Sequence, residues 1–354
     1  MGKTYQIEIQ GERRIFDASV TYEEIAKEYA DCYDAPIMLA RLDEQLRELH
    51  HTVERDGKLE LVTLRDPAGR MTYVRSLIFL MEQALREISV EDGQTIHVLY
   101  TMDTAYYCEL FAQDIHLDIN VAFITRLEKK MQELVEADLP IEKYSTGVEH
   151  AKEIFEANGL YDKRRLFEYR RVSSANIYKL KDCEDYFYGY MVHHTGLLKA
   201  FELIPYATGF LLNMPSSEAP TQLRPVQIRE KLFNELHKAS KWAYDMNMAT
   251  IGALNDRIVA GEMDDMIMAQ DAVQEHQIAE LAREITESGK KKIVLIAGPS
   301  SSGKTTFSHR LSIQLYARGY HPHPIALDDF FRDRATIEPE PDGSLNLRIG
   351  PSPR

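Results

Sequence analysis

The first 65 residues have the hydrophobic and polar pattern of a small mixed α/β unit. Thr21 is followed three residues later by Glu24, the capping-box signature of a helix start, and we expect this helix to run to about Tyr29. Alternating or β-branched apolar residues predict strands at 5–9, 14–16, 37–40 and 59–62. Strand, strand, helix and strands in so short a span suggest a ubiquitin-like β-grasp.

Residues 66–222 form a second unit with more helix. The stripe that includes Val74, Leu77, Met81 and Leu85 predicts an amphipathic helix over 72–88. We expect a β-hairpin around Asp103, with strands at 95–102 and 105–110, further strands at 115–123, 185–192 and 209–212, and helices at 126–137 and 148–158. Prolines at 215 and 220 mark an exit linker.

Residues 223–289 are predicted to form a helical connector. The remaining residues have the pattern of a second α/β region. The apolar, β-branched run 292–297 predicts a buried parallel strand, and a helix should follow from the glycine-rich segment to Arg318. Residues 323–327 predict a second strand. The fold class predicted for the whole chain is therefore multidomain α/β and α+β, ending in the start of a parallel α/β sheet.

Composition and charge restrict the functional class. The chain has 354 residues, 44% hydrophobic and 28% charged, and its net charge of −14 argues against a nucleic-acid surface along the whole chain. Its three cysteines have neither disulfide nor zinc-knuckle spacing, and no apolar run has the length of a membrane span. We expect a cytoplasmic protein with no membrane partner; the oligomeric state stays open.

The segment 298–306 carries the strongest chemical signal, because it fits the phosphate-binding pattern G-x-x-x-x-G-K-[ST]. The backbone would turn its N–H groups toward a phosphate, and the following helix adds its positive end. Lys304 would contact the β- and γ-phosphates of ATP or GTP, and the Thr305 hydroxyl would bind Mg²⁺. The predicted cofactor-binding residues are Gly298, Pro299, Ser300, Ser301, Ser302, Gly303, Lys304, Thr305 and Thr306.

An acidic pair follows the second predicted strand of this region. Asp328 would lie at the carboxyl end of a strand beside the P-loop, where a carboxylate can accept a proton from a substrate hydroxyl during phosphoryl transfer. The alternative is that Asp328 and Asp329 only end the strand in a turn.

The N-terminal half resembles part of threonyl-tRNA synthetases. Residues 1–65 are similar to the TGS domain, with an unrelated α+β module as the alternative. Residues 66–222 are similar to the second additional domain, which edits mischarged tRNA in threonyl- and alanyl-tRNA synthetases. The family's H-x-x-x-H and C-x-x-x-H ligands fall here on Arg75 and Phe79, and on Phe187 and Met191. Because these side chains cannot replace imidazole and thiolate, we expect no zinc and no editing in this domain.

The C-terminal segment 290–354 resembles the uridine kinase and phosphoribulokinase family through the P-loop and the run Leu-Asp-Asp-Phe-Phe at 327–331. That resemblance implies that Asp328 is the catalytic base beside Lys304, and that Phe330 or Phe331 lines a nucleoside pocket. The order of the parts resembles bacterial nucleoside kinase fusions. It implies transfer of the γ-phosphate of ATP or GTP to a nucleoside 5′-hydroxyl.

Two rival functions and one mismatch accompany this prediction. Only about fifty residues follow Lys304, so we expect an incomplete kinase domain with little activity. The main alternative is a tRNA- or RNA-binding regulator whose P-loop senses a nucleotide. A GTPase is less favoured because no N-K-x-D motif follows the loop.

Two further groups of residues are expected to be solvated surface residues. The histidine pairs at 50–51 and 193–194 are expected in solvated loops. The basic run that includes Lys163, Arg164, Arg165, Arg170 and Arg171 admits weak RNA contact, although a solvated face is the commoner outcome in so acidic a chain.

Overall fold

The computed structural model describes residues 3–89, 93–112 and 115–326, and the chain divides into two compact units, Met1–Asp256 and Arg257–Arg354. The division falls inside the segment 223–289 that the sequence predicts as a connector. The four predicted domains, 1–65, 66–222, 223–289 and 290–354, remain a prediction. Mixed α/β structure with several sheets is as expected.

The first five strands form one sheet with a helix beside it. The strand order is β2-β1-β5-β3-β4, and β1 and β5 are parallel while the other neighbours are antiparallel. The elements are β1 (Thr4–Ile9), β2 (Glu12–Asp17), α1 (Tyr22–Glu28), β3 (Ile37–Leu42), β4 (Gln45–Glu48) and β5 (Gly57–Thr63). The predicted capping box is present, because Thr21 Oγ1 accepts from the Glu24 N–H at 3.2 Å and Glu24 Oε2 accepts from the Thr21 N–H at 2.8 Å.

Two further sheets follow within Met1–Asp256. One has the order β12-β13-β7-β6 with β8 paired to β7, and the other has the order β11-β10-β9. The elements are α2 (Pro67–Ile88), β6 (Gln94–Met102), β7 (Ala105–Ala112), β8 (Ile115–Leu117), α3 (Val121–Glu136), β9 (Glu142–Gly147), α4 (Val148–Ala157), α5 (Tyr161–Tyr169), β10 (Ser174–Leu180), β11 (Cys183–Tyr186), β12 (Glu202–Tyr206), β13 (Gly209–Asn213) and α6 (Glu230–Asp245). Helix α7 (Ile251–Val259) includes the boundary at Asp256.

Helix α2 is central to this unit, since it contacts β3 and β5 of the first sheet, β6 and β11 of the other two, and α3. It is therefore buried on more than the one predicted stripe: Phe79 and Leu80 lie off that stripe and are fully buried. Gly69 in its first turn allows the close approach to β5, because a Cβ there would lie 2.0 Å from the Thr63 carbonyl oxygen.

Two strand predictions in this unit are too long. The strand predicted over 115–123 ends at Leu117, because Asn120 caps α3 by accepting from the Phe123 N–H at 2.9 Å. The aromatic strand predicted over 185–192 ends at Tyr186. The residues after Tyr186 leave the sheet and contact the side chains of α2 and β4 instead.

The second unit contains α8 (Met263–Ser288) and α9 (Lys304–Ala317) within its described part. Ile278, Ala282 and Ile285 of α8 pack against Leu311 and Leu315 of α9. The predicted strand at 292–297 is absent, and Leu295 is 90% exposed. Residues 323–326 are not strand either. The predicted parallel sheet is thus wrong for the described residues, where neither segment has a hydrogen-bonding neighbour to make it a strand.

None of the helices in the described ranges combines the length and apolar character that a bilayer crossing requires.

Candidate functional site

The two segments that carry the synthetase ligand positions lie side by side. The rings of Phe79 and Phe187 meet edge to face, with centroids 5.4 Å apart, and Met191 is fully buried nearby. Arg75 Nε donates to the Tyr190 carbonyl oxygen at 3.0 Å. Apolar packing and one backbone hydrogen bond thus occupy these positions, and none of the four side chains offers an imidazole or thiolate.

Glu48, at the end of β4, holds this packed region to the first sheet. Its carboxylate is buried, and Oε1 accepts from the Tyr178 hydroxyl at 2.6 Å and from the Met191 N–H at 3.1 Å. Lys143 Nζ donates to Oε2 at 3.2 Å. Charge-assisted bonds of this kind explain how a carboxylate can be buried. The sequence pattern does not reveal Glu48, since all three partners are distant in the chain.

A cleft of about 970 Å³ adjoins the packed region and has aromatic walls. Phe187 forms part of the wall together with Tyr161, Tyr186 and Tyr188. Tyr188 is 85% exposed and Tyr161 is about half exposed, so both side chains are accessible to solvent at the cleft. Exposed rings beside a cleft are suited to stacking on planar groups such as nucleic-acid bases.

An ionic group lies in the cleft wall. Lys163 Nζ bonds to the buried carboxylate of Asp185, and Oε2 of the neighbouring Glu82 has neither solvent contact nor a hydrogen-bond partner among the described residues. Burial raises the pKa of Glu82 well above its ordinary value, and the charge of Asp185 adds to this effect. The raised pKa favours the protonated form of Glu82.

The basic run is largely neutralised within its own unit. Lys163 pairs with Asp185, Arg164 Nε with Glu156 at 3.2 Å, and Arg165 with Asp256. Arg170 lies over the rings of Phe167 and Tyr186, with its guanidinium carbon 4.9 Å from each centroid. Three of the five basic side chains are thus paired with carboxylates around α5, a helix that the sequence pattern did not predict, and a fourth packs on aromatic rings.

The predicted P-loop residues 298–306 form a tight turn at the start of α9. Ser301 and Gly303 have left-handed backbone angles (φ of 60° and 78°), and Gly303 is the residue before the helix. Lys304 Nζ donates to the carbonyl oxygens of Gly298 and Pro299 at 2.9 and 2.6 Å. Thr305 and Thr306 lie in the first helical turn. Asp328, Phe330 and Phe331 lie outside the described residues.

The two histidine pairs differ in their surroundings. His50 and His51 are exposed, as expected for a loop. The side chain of His193 is only 11% exposed, and Nδ1 of His194 bonds to the Asp138 carboxylate. The expectation of a solvated loop is therefore wrong for His193 and His194, because the loop packs against α1 of the first sheet.

Comparison with known proteins finds relatives for the N-terminal region. The chain is 30% identical over 201 residues to a threonine–tRNA ligase of Halorhodospira halophila, an alignment of 56% of this chain and 31% of the relative. Identity is 27% over 206 residues to that of Syntrophotalea carbinolica, covering 58% and 32% of the two chains. The matches span about a third of the length of these relatives. No protein-family model matches the sequence.

These comparisons correct the predicted function. The relatives are threonine–tRNA ligases, and none of them supports a uridine kinase domain or a phosphotransferase that acts on nucleosides. The prediction of a nucleoside kinase, with the kinase and transferase activity that it implied, is therefore wrong. The alternative function, a tRNA-related protein, agrees better with the relatives.

Proposed function

We propose that this protein binds tRNA, or an RNA with a similar single-stranded end, in the aromatic cleft beside Phe187, and that its P-loop senses a nucleotide. The similarity to threonine–tRNA ligases supports a tRNA ligand. The observation that carries the proposal is the exposure of Tyr188 and Tyr161 at a cleft large enough for a nucleotide. Stacking on such rings tolerates different bases.

RNA binding is proposed to occur without hydrolysis of an aminoacyl bond. Phe79, Phe187 and Met191 pack where the synthetases that the chain resembles carry metal or catalytic ligands. A site without imidazole, thiolate or another general base at these positions lacks the groups that would activate water. Of these three side chains only Phe187 lines the cleft, and Phe79 packs behind it.

Fluorescence anisotropy with labelled tRNA and the full chain tests this proposal. Stacking of one base contributes about 1–3 kcal/mol, so Tyr188→Ala should weaken binding roughly fivefold or more. Tyr188→Phe keeps the ring and should bind like the parent chain. Ile15→Ala, at an exposed position on β2, is the surface control. Equal affinity for Tyr188→Ala and the parent chain would contradict the cleft as the RNA site.

Nucleotide sensing is proposed to use the P-loop with Mg²⁺. The ammonium of Lys304 bonds to two backbone carbonyls, and a phosphate would replace those contacts with stronger ones between opposite charges. Thr305 would bind the Mg²⁺. Binding of fluorescent ATP and GTP analogues should require Mg²⁺ and be lost in Lys304→Ala, whereas Lys292→Ala should behave like the parent. Unchanged nucleotide affinity in Lys304→Ala would refute this role.

A further inference from the structure

Three potential metal ligands from different parts of the chain meet at one point. Glu23 lies in the first turn of α1, and His193 and His194 lie in the segment after β11. His193 Nε2 is 2.9 Å from Glu23 Oε2, and His194 Nε2 is 3.8 Å from Glu23 Oε1. One ligand atom of each residue lies within 4.8 Å of the other two. Ligands 2.0–2.1 Å from a tetrahedral ion are separated by about 3.3 Å, and the two measured distances lie on either side of that value.

The outer contacts orient His194 for coordination. Its Nδ1 bonds to Asp138 Oδ1, and the same carboxylate oxygen accepts from the Gly196 N–H at 2.9 Å. A carboxylate at Nδ1 fixes the tautomer in which Nε2 carries a lone pair, as in carboxylate–histidine–metal arrangements. The free lone pair therefore points to the side on which Glu23 lies.

His193 has one ring nitrogen without a hydrogen-bond partner. Its side chain is 11% exposed, Nε2 lies 2.9 Å from Glu23 Oε2, and Nδ1 has no hydrogen-bond partner among the described residues. The ring is thus held against Glu23 through Nε2, the nitrogen that would bind a metal together with that carboxylate.

A neighbouring set of residues is a weaker candidate. Glu48, His50 and His51 also lie within ligand distance of one another. However, the Glu48 carboxylate already accepts from Tyr178, Met191 and Lys143. At Glu23, by contrast, the competing ion pair is Lys27 on Oε1 at 2.6 Å, and the Lys27 side chain is exposed enough to move into solvent.

We propose that Glu23, His193 and His194 form a binding site for Zn²⁺ or a chemically similar divalent transition metal. Two imidazoles and one carboxylate are a frequent zinc ligand set, and zinc sites with three protein ligands keep a fourth position for water or another ligand. Glu23 and His193 also line a cavity of about 420 Å³, which gives this position room. The site shares no residue with the aromatic cleft, and it departs from the expectation of a zinc-free protein.

The metal would also connect two parts of Met1–Asp256. Glu23 belongs to the helix beside the first sheet, whereas the two histidines follow β11 in another sheet. A ligand that binds only the folded chain stabilises it, so zinc should raise the melting temperature.

Competition between the chelator-treated full chain and a chromophoric zinc chelator tests the site. We expect one Zn²⁺ per chain, and a Co²⁺-substituted protein with the visible absorption of tetrahedral cobalt. Glu23→Gln and His194→Ala should weaken zinc binding at least about tenfold, and Asp138→Asn by roughly 10- to 100-fold. His51→Ala is the matched control and should bind like the parent.

Thermal unfolding in excess chelator shows whether each variant is folded, and the zinc-dependent rise in melting temperature should disappear in Glu23→Gln. Failure of the folded parent chain to bind zinc in a one-to-one ratio would overturn the proposal. A loss in His51→Ala as large as in His194→Ala would also overturn it, because the metal would then belong to the Glu48 set.

Discussion

Replacing Phe79 with alanine should strongly destabilise the unit Met1–Asp256. The Phe79 ring is fully buried in α2 and packs edge to face on Phe187. Truncation removes on the order of 120 Å² of buried apolar area, worth roughly 3 kcal/mol at 25 cal/mol per Å². The cavity left behind brings the expected loss in the free energy of unfolding to about 3–5 kcal/mol.

Urea unfolding followed by tryptophan fluorescence measures this loss. The chain has a single tryptophan, Trp242, which lies on α6 of the same unit. Met71→Ala is the matched control, because Met71 also lies on α2 but is 43% exposed, and its effect should stay within about 0.5 kcal/mol. A loss below about 1 kcal/mol for Phe79→Ala would refute the reasoning, since the former ligand position would then not be part of the core.

Two further predictions concern buried carboxyl groups. Glu48→Gln weakens the charge-assisted bonds from Tyr178 and Lys143, so the free energy of unfolding should fall by about 1.5–3 kcal/mol. If Glu48→Gln lowered the free energy of unfolding by the same amount in the Tyr178→Phe variant as in the parent chain, Glu48 and Tyr178 would not interact. Folding raises the pKa of Glu82 above its ordinary value of 4.5. Between pH 4.5 and the folded pKa, the unfolded chain therefore loses this proton while the folded chain keeps it. The free energy of unfolding then falls by about 1.4 kcal/mol per pH unit over that range. Glu82→Gln should therefore match the parent at pH 4 and be more stable at pH 7 in urea titrations, whereas a difference independent of pH would count against a protonated Glu82.

The predictions that succeeded rest on local signals. The capping box at Thr21 and Glu24, the hairpin around Asp103 and the long apolar pattern of α2 are each encoded within a few neighbouring residues. Such signals depend on backbone hydrogen bonds and side-chain periodicity within one segment, so the element can be predicted from that segment alone.

The predictions that failed depend on contacts between distant segments. The run 292–297 has the composition of a buried strand, but a strand also requires neighbours, and Leu295 is exposed instead. The aromatic run after Tyr186 alternates like a strand, yet Met191 bonds to Glu48, 143 residues away in the chain. Local pattern alone cannot reveal partners at such separations.

The candidate sites also differ in whether their residues are neighbours in the sequence or come from distant segments. The P-loop motif is contiguous, so residues 298–306 could be selected from the sequence. Phe79 and Phe187 could be selected as family ligand positions through a resemblance, and the structure shows that their rings meet. By contrast, Glu23 and the pair His193–His194 are separated by 170 residues, and their meeting becomes visible only when α1 is placed against the later loop.

The most direct test of the central claim measures binding and hydrolysis of one mischarged tRNA by the full chain. The account predicts saturable binding that weakens as salt increases, together with deacylation no faster than in buffer. Absence of salt-sensitive binding would contradict a tRNA-binding protein. Deacylation faster than the buffer rate would contradict the proposal that Phe79, Phe187 and Met191 stand in place of the catalytic ligands.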